Sequence, residues 1–322
     1  MLKISYKIKL GRTTYTANDG TLLLDLRSQA SLHIPVNTCR IVLGIPKNVE
    51  VSPKDPVSIE IGYEKQTTLV FTGRVTCVDW EIDRVQIEAA SAFTDLTLLR
   101  LNRVYEKSHG GDIVKDILRQ AKLTVGKVEN GIKFSVYTVG DRQNAADCLY
   151  NLAKQCGFDV YANDRDRAVF SQYSPAITHT FTYGEDLLKY CSKQPQKGIE
   201  KVEIYGESPA SQGQGEQAYS WLTKNEVKAT AGAGGNLLRM ADPTARSQAV
   251  AQSIARGVLS HLKQKQRGQI MAMGAANVKL GDGIQITKMP ISKQNGSFKV
   301  TGIKHILNRH QGFLTTIDWE EK

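Results

Sequence analysis

The sequence predicts a mainly β protein with α+β parts: two similar small antiparallel β-barrels, a small α/β domain and a helical insertion. Three observations carry this expectation. Alternation of apolar and polar residues dominates both ends of the chain, the period becomes helical in between, and one strand pattern occurs twice. The first copy reads Asp55-Pro-Val-Ser-Ile-Glu-Ile-Gly62, a turn, Phe71-Thr-Gly-Arg-Val75, then Val85-Gln-Ile-Glu-Ala89. The second reads Gly281-Asp-Gly-Ile-Gln-Ile286, a turn, Val300-Thr-Gly-Ile-Lys304, then Leu314-Thr-Thr-Ile-Asp318. Aligned at Thr72-Gly73 and Thr301-Gly302, both give strand, turn, strand, short turn, strand. Two such modules let an oligomer of n chains present 2n quasi-equivalent units, a consequence for assembly rather than catalysis.

Residues 1–103 form the first expected barrel. Leu2, Ile4, Tyr6, Ile8 and Leu10 alternate with Lys3, Ser5, Lys7 and Lys9, the pattern of a half-buried strand. Asn18-Asp-Gly20 is a turn signal, and strands are expected at Asn37–Leu43, Val57–Tyr63, Leu69–Trp80 and Val85–Ala90. Ser52-Pro-Lys-Asp-Pro56 must be a loop, because each proline removes a ladder donor. Short strands separated by turns suit a small barrel or sandwich.

Residues 104–178 form the expected α/β domain. Ile113, Val114, Ile117, Leu118 and Ala121 mark a helix opened by Gly110-Gly-Asp112. Ala145, Cys148, Leu149, Leu152, Ala153 and Cys156 mark a second, with Asp141 as N-cap and Gly157 at its end. Strands Phe158–Ala162 and Ala168–Ser171 flank the turn Asn163-Asp-Arg-Asp-Arg167.

Residues 179–322 form the second expected barrel, interrupted by a loop–helix insertion at about 209–267. Strands His179–Tyr183 and Ile199–Tyr205 precede the insertion. Residues 209–242 are rich in Ser, Gly, Gln and Ala and read as a flexible loop that includes Ala231-Gly-Ala-Gly-Gly235. Asp242-Pro243 supplies an N-cap and a proline at the first helical position. Val250, Ile254, Val258 and Leu262 run down one face of a helix of about 22 residues. Gln269–Ala275, Gly283–Met289, Ser297–Asn308 and Gly312–Glu320 complete the module.

Composition narrows the classes of function. The 322 residues suggest about two domains of ~150 residues. No run approaches the ~18–20 apolar residues of a membrane span. The amino-terminal stretch is a strand rather than a signal peptide, so the chain is expected to stay in the cytoplasm or to leave it as part of something larger. Cys39, Cys77, Cys148, Cys156 and Cys191 have neither disulfide nor zinc spacing and are expected to be buried thiols. Cys148 and Cys156 share a helix face but stand about 12 Å apart along it. The net charge of +10 favours anionic partners, but it is dispersed and accompanies no DNA-recognition motif.

No catalytic, cofactor-binding or metal-binding constellation is read from the residues. The histidines are His33, His109, His179, His261, His305 and His310. Only the last two are neighbours, flanking a surface turn without a carboxylate, which does not make a metal site. Ala231–Gly235 lacks the Lys-Ser/Thr of a phosphate-binding loop. Asp112 with Asp116, and Asp164 with Asp166, read as solvated surface carboxylates. Trp80, Trp221 and Trp319 are too dispersed for a base-stacking platform. Trp80 and Trp319 end apolar strands as core or interface anchors.

Several segments, in their order, carry a family resemblance. They are Asp55-Pro-Val-Ser-Ile-Glu-Ile-Gly-Tyr63, Leu69-Val-Phe-Thr-Gly-Arg-Val75, Gly111-Asp-Ile-Val-Lys-Asp-Ile-Leu118, Asn144–Asp159, Ala168-Val-Phe170, Leu280-Gly-Asp-Gly-Ile-Gln-Ile286 and Phe298-Lys-Val-Thr-Gly302. Together the chain resembles the phage late control protein D family, the baseplate hubs of contractile tails. These are related to the amino-terminal hub part of VgrG and to hubs of tailocins and contractile injection systems. The resemblance implies a homotrimer whose six tube-type modules form a pseudo-six-fold ring. A hexameric tail tube would dock on one side and a trimeric spike on the other, with baseplate wedge proteins as further partners. VgrG continues beyond its hub part into a spike, so a separate spike polypeptide is expected here. DNA or an effector would pass through the lumen, and the location would be a virion or tail-like particle. Two readings from other classes are a tail-associated cell-wall-degrading enzyme and a cationic nucleic-acid-binding module.

Overall fold

The computed structural model describes the chain except residues 1–2, 19–21, 35, 45–49, 65, 141, 194–197, 208–225 and 264. Its first part contains β1 (Ile4–Leu10), β2 (Thr13–Thr16), β3 (Leu23–Ser31), β4 (Thr38–Gly44), β5 (Pro56–Tyr63), β6 (Gln66–Trp80) and β7 (Arg84–Ala90). There follow α1 (Thr94–Leu98), β8 (Arg103–His109), α2 (Gly110–Gln120), β9 (Thr124–Val128), β10 (Lys133–Val139), α3 (Ala145–Cys156), β11 (Asp159–Ala162) and β12 (Arg167–Ser171). The last part contains β13 (Thr178–Thr182), β14 (Leu187–Lys193), β15 (Lys201–Tyr205), β16 (Lys228–Gly232), β17 (Leu237–Ala241) and α4 (Gln248–Leu262). It ends with β18 (Arg267–Met273), β19 (Gly283–Thr287), β20 (Gly296–Asn308) and β21 (Gly312–Glu321).

The architecture is mainly β, as expected, but the two barrels are observed as two halves of one 13-stranded sheet. Its order is β14-β18-β21-β20-β3-β4-β7-β6-β5-β1-β2, with β19 beside β20 and β13 beside β19. Among the described residues no ladder closes either half into a barrel. The physical reason lies in β3, which pairs with β4 on one edge and with β20 of the other half on its second edge. Each half nevertheless encloses its own core. Ile8, Leu26, Ile41, Ile59 and Ile87 fill the first, and Ile270, Ile284, Ile303, Ile317 and Trp319 the second.

A third core joins the α/β region to α4. Ile113, Val114, Ile117 and Leu118 give α2 one fully buried face, as their helical spacing predicts. α3 begins at Asn144, whose Oδ1 accepts the Asp147 N–H at 2.7 Å, rather than at Asp141, which lies outside the described residues. Asn144 is three residues before Asp147, the spacing that brings a side-chain acceptor to a free amide of the first turn. α3 ends on left-handed Gly157, as expected. That residue meets Gly257 of α4, where an added Cβ would overlap the Gln155 carbonyl.

Other differences are local. The segment read as a flexible loop contains β16 and β17, which pair with the two edges of β15, while its residues 209–225 lie outside the described residues. Alternating Ala229 and Ala231 face the core, but small side chains give a weak apolar signal. α4 starts later than expected, capped by Ser247, because Asp242 accepts from Thr244 and shapes a preceding turn.

Since Leu26 is fully buried on the strand shared by both halves, Leu26→Ala is expected to destabilise the fold by about 2–5 kcal/mol. A fall in the denaturant midpoint at unchanged m-value measures it.

Candidate functional site

The functional candidate is the junction where the two halves meet, together with the charged cleft beside it. Pairing partners trace a row Cys77–Glu88–Arg40–Arg27 across β6, β7, β4 and β3. The corresponding row across β20, β21, β18 and β14 is Gly302–Asp318–Gln269–Cys191. The next rows, Val78–Ile87–Ile41–Leu26 and Ile303–Ile317–Ile270–Tyr190, both face their cores. Bulges coincide as well. Leu23/Asp25 matches Leu187/Lys189, and Val75/Cys77 matches Val300/Gly302.

The duplication is therefore a property of the sheet, but not in the register that the Thr-Gly dipeptides suggest. Gly302 corresponds to Cys77, four residues beyond Gly73. Gly73 lies against the Ala90 carbonyl and Gly302 against the Asp318 side chain, so two separate crowded positions each select glycine. The ladder, unlike the dipeptide, keeps the inward rows in phase.

The same rows correct the expectation that all five cysteines are buried. Cys39 and Cys148 are buried and Cys156 half-buried, but Cys77 and Cys191 lie on outward rows and are exposed. All five are free thiols. Trp319 is buried against Phe298, whereas Trp80 is 61% exposed at the tip of β6; Trp221 lies outside the described residues.

At the junction, seven residue pairs run from Gly302↔Ser31 to Asn308↔Asp25. His305 sits inside it, 3% exposed rather than at a surface turn, while His310 is exposed in the turn beyond. The alternation of β20 points His305 inward. The Thr315 hydroxyl accepts the Ala275 N–H at 2.9 Å and is hydrogen-bonded to His305 Nδ1 at 3.0 Å. Burial, reinforced by Lys279, lowers the His305 pKa to about 3. It is a neutral structural histidine.

Beside the junction, a cleft of about 440 Å³ separates the second half from the α/β region. Lys299 Nζ lies 2.7 Å from Asp159 Oδ1 and 3.6 Å from Glu320 Oε1, with all three side chains largely buried. Lys265 and Arg267 approach the same Glu320 carboxylate at 3.6 and 3.7 Å. The Lys299 ammonium is thus occupied as the shared ion-pair partner of two carboxylates. His261 Nε2 lies 3.0 Å from the Phe158 carbonyl and so donates to it, while the Ser260 hydroxyl donates to the Gly257 carbonyl. These neighbours thus bond to backbone rather than to each other. The cleft is an electrostatic clasp between β11 and the β20–β21 pair, one that sequence spacing could not have revealed.

The remaining candidates also have structural partners. Asp116 accepts from Tyr105 and Arg103 at 2.9 Å and pairs with Arg119. Burial alone would raise its pKa, but the Tyr105 hydroxyl and the two guanidinium groups hold it below the usual carboxylate range. Asp112 is within 3.7 Å of Lys115. Asp166 accepts the Ala92 N–H, and Asp164 pairs with Lys279 at 3.1 Å. At the Ala231–Gly235 segment, the Glu200 carboxylate accepts the Gly235 N–H at 2.9 Å, filling the place an anion would take. A pair missed in the sequence, His179–Asp282 at 2.9 Å, ties β13 to the turn before β19. Among the described residues there is no group of three potential metal ligands, and no helix is long and apolar enough to cross a membrane.

Two expectations follow. His305 has a folded pKa far below its unfolded value, so its contribution is complete above about pH 6.5 and is lost as pH falls toward about 3. Over that window His305→Asn should remove up to about 1.4 kcal/mol per pH unit from the slope of stability against pH, measured by urea unfolding. In the cleft, Lys299→Met strands Asp159 and should cost ~3–5 kcal/mol, whereas Lys299→Met with Asp159→Leu should recover most of the loss. A double-mutant cycle reads the difference.

Comparisons with known proteins agree with this geometry. The 43 kDa tail protein of prophage MuSo2 from Shewanella oneidensis is 12% identical, covers 98% of each chain and superposes with a TM-score of 0.69. The tail protein from Neisseria meningitidis MC58 is 13% identical over 99% of this chain and 97% of its own, with a TM-score of 0.71. An Escherichia coli component of the type VI secretion system, described as similar to T4 bacteriophage tail proteins gp27 and gp5, is 10% identical over 97% and 76%, with a TM-score of 0.62. The expected likeness to phage-tail and secretion-system hubs is thus borne out in the fold. No curated protein sequence matches the chain. The model of one family, described as the Alg8 N-terminal domain, matches residues 45–309. By that match over most of its length, the chain belongs to the Alg8 N-terminal domain family, and it has the fold of phage tail proteins.

Proposed function

We propose that the protein is a structural baseplate hub of a contractile phage tail or tail-like injection system. Three chains form a ring of six sheet halves, each half acting as one tube-type module. The ring joins a hexameric tail tube to a trimeric spike, contacts baseplate wedge proteins and leaves a lumen for DNA or an effector. Residues 1–103 and 179–322 supply the modules, and residues 104–178 with α4 decorate the outside. The role is one of assembly rather than catalysis.

The observation that carries this reading is the row-by-row repetition of the sheet. A ring closes when one heterologous contact repeats through a suitable rotation. Two similar halves in each chain convert three chains into six similar positions, the number needed to match a six-fold tube to a three-fold spike. The phage-tail fold supports the same reading.

The purified protein, alone or mixed with its tube and spike partners, should have the mass of three chains and appear in averaged images as a three-fold particle with six lobes. A strict monomer under all these conditions would overturn the reading.

A further inference from the structure

Each half of the sheet has a central strand that loses its first partner midway. In β20, residues 296–299 pair with β19, and residues 302–308 pair along the same edge with β3. In β6, residues 66–74 pair with β5, but among the described residues the continuation Thr76–Trp80 pairs only with β7, its other edge open. The counterpart of β3 in the second half is β14, which pairs with β18 and, among the described residues, is likewise open on its outer edge. The fold thus contains one completed junction, β20 to β3, and the two unpaired components of a second.

We propose that the outer part of β6 in one copy pairs antiparallel with β14 of the next copy, repeating between chains the β20–β3 junction within the chain. This rests on the hub reading and specifies its subunit contact. Transferring the register through the matched rows, Lys304↔Gln29 becomes Asp79↔Lys193, and His305↔Ser28 becomes Trp80↔Ser192. The turn beyond brings Asp83 toward Lys189.

Charge and burial support this transfer independently. The hairpin 76–88 carries Asp79, Glu81, Asp83 and Glu88 against Arg84 alone, on a chain of net charge +10. β14 carries Lys189 and Lys193 and no acid. Among the described residues, neither lysine nor Asp79 has an ion-pair partner. Trp80 and Ile82 are 61% and 96% exposed, yet their counterparts in the completed junction, His305 and Leu307, are 3% and 6% exposed. An isoleucine at a hairpin apex suits neither the turn nor the solvent. It gains a purpose if another copy covers it.

Oxidative cross-linking tests the contact in full-length protein with Cys77→Ser and Cys191→Ser. Asp79→Cys with Lys193→Cys should give covalent dimers and trimers and no larger species, while either cysteine alone gives none. Both positions are exposed, so these changes leave the cores untouched. Lys193→Glu should weaken assembly by about tenfold or more, and adding Asp79→Lys should restore it. A three-chain assembly that never cross-links in the double variant overturns this contact and leaves the hub reading standing. A wild-type protein that stays monomeric, alone and with its tube and spike partners, overturns the hub reading and the contact with it.

Discussion

The pairing of β3 along both of its edges is the constraint on which the rest of the fold depends. β3 lies near the start of the chain and β20 near its end, yet seven residue pairs join them. The contact is therefore of very long range, and ordering the intervening chain carries a large entropic cost. Three separate cores offset that cost. Without the β3–β20 ladder the two sheet halves would share no edge. With it, both halves hold a fixed spacing and direction, which is what the proposed ring would require of its building unit.

The charged cleft reinforces this spacing from the side. Lys299 belongs to β20, Asp159 to β11 and Glu320 to β21, so one ammonium ties the junction strand to the α/β region. Removing these charges from water costs several kcal/mol per ion, so the clasp contributes geometry more than net stability. His305 lies farther along the same strand as Lys299, inside the junction itself. Its neutrality avoids placing an unpaired positive charge in the junction near Lys279.

Much of the sheet was legible in the sequence, because inward Ile and Val residues of β5, β6, β7, β18, β20 and β21 alternate cleanly. β3 was not. Its apolar positions are broken by the bulge at Leu23/Asp25, and Ser28 occupies an inward place, so the period-2 signal fades in the strand that matters most. β8, β9 and β14 were missed because they are short or largely exposed edges, whereas β10 was missed although Phe134, Tyr137 and Val139 are buried. The repeat was visible as a Thr-Gly dipeptide, but its register was not, since local crowding can select glycine at unrelated positions. The clasp was illegible throughout. Asp159, Lys299 and Glu320 meet only through the fold, and no spacing rule links residues so far apart.

Open strand edges are hazardous, because any exposed ladder can recruit another chain. In the proposed contact the charges restrict which edge can be recruited. Two β6 hairpins would face each other with carboxylates, and two β14 edges with lysines, so like pairs repel and only the unlike pair attracts. That excludes the symmetric dimer in which each edge meets its own copy, and it favours the head-to-tail contact, the one type that generates rings. Ring closure then removes every such edge at once, whereas an incomplete ring keeps one of each sign available. The dispersed charge of +10 and the acidic hairpin thus describe a single device: a chain that repels copies of itself except where this acidic hairpin meets a basic edge.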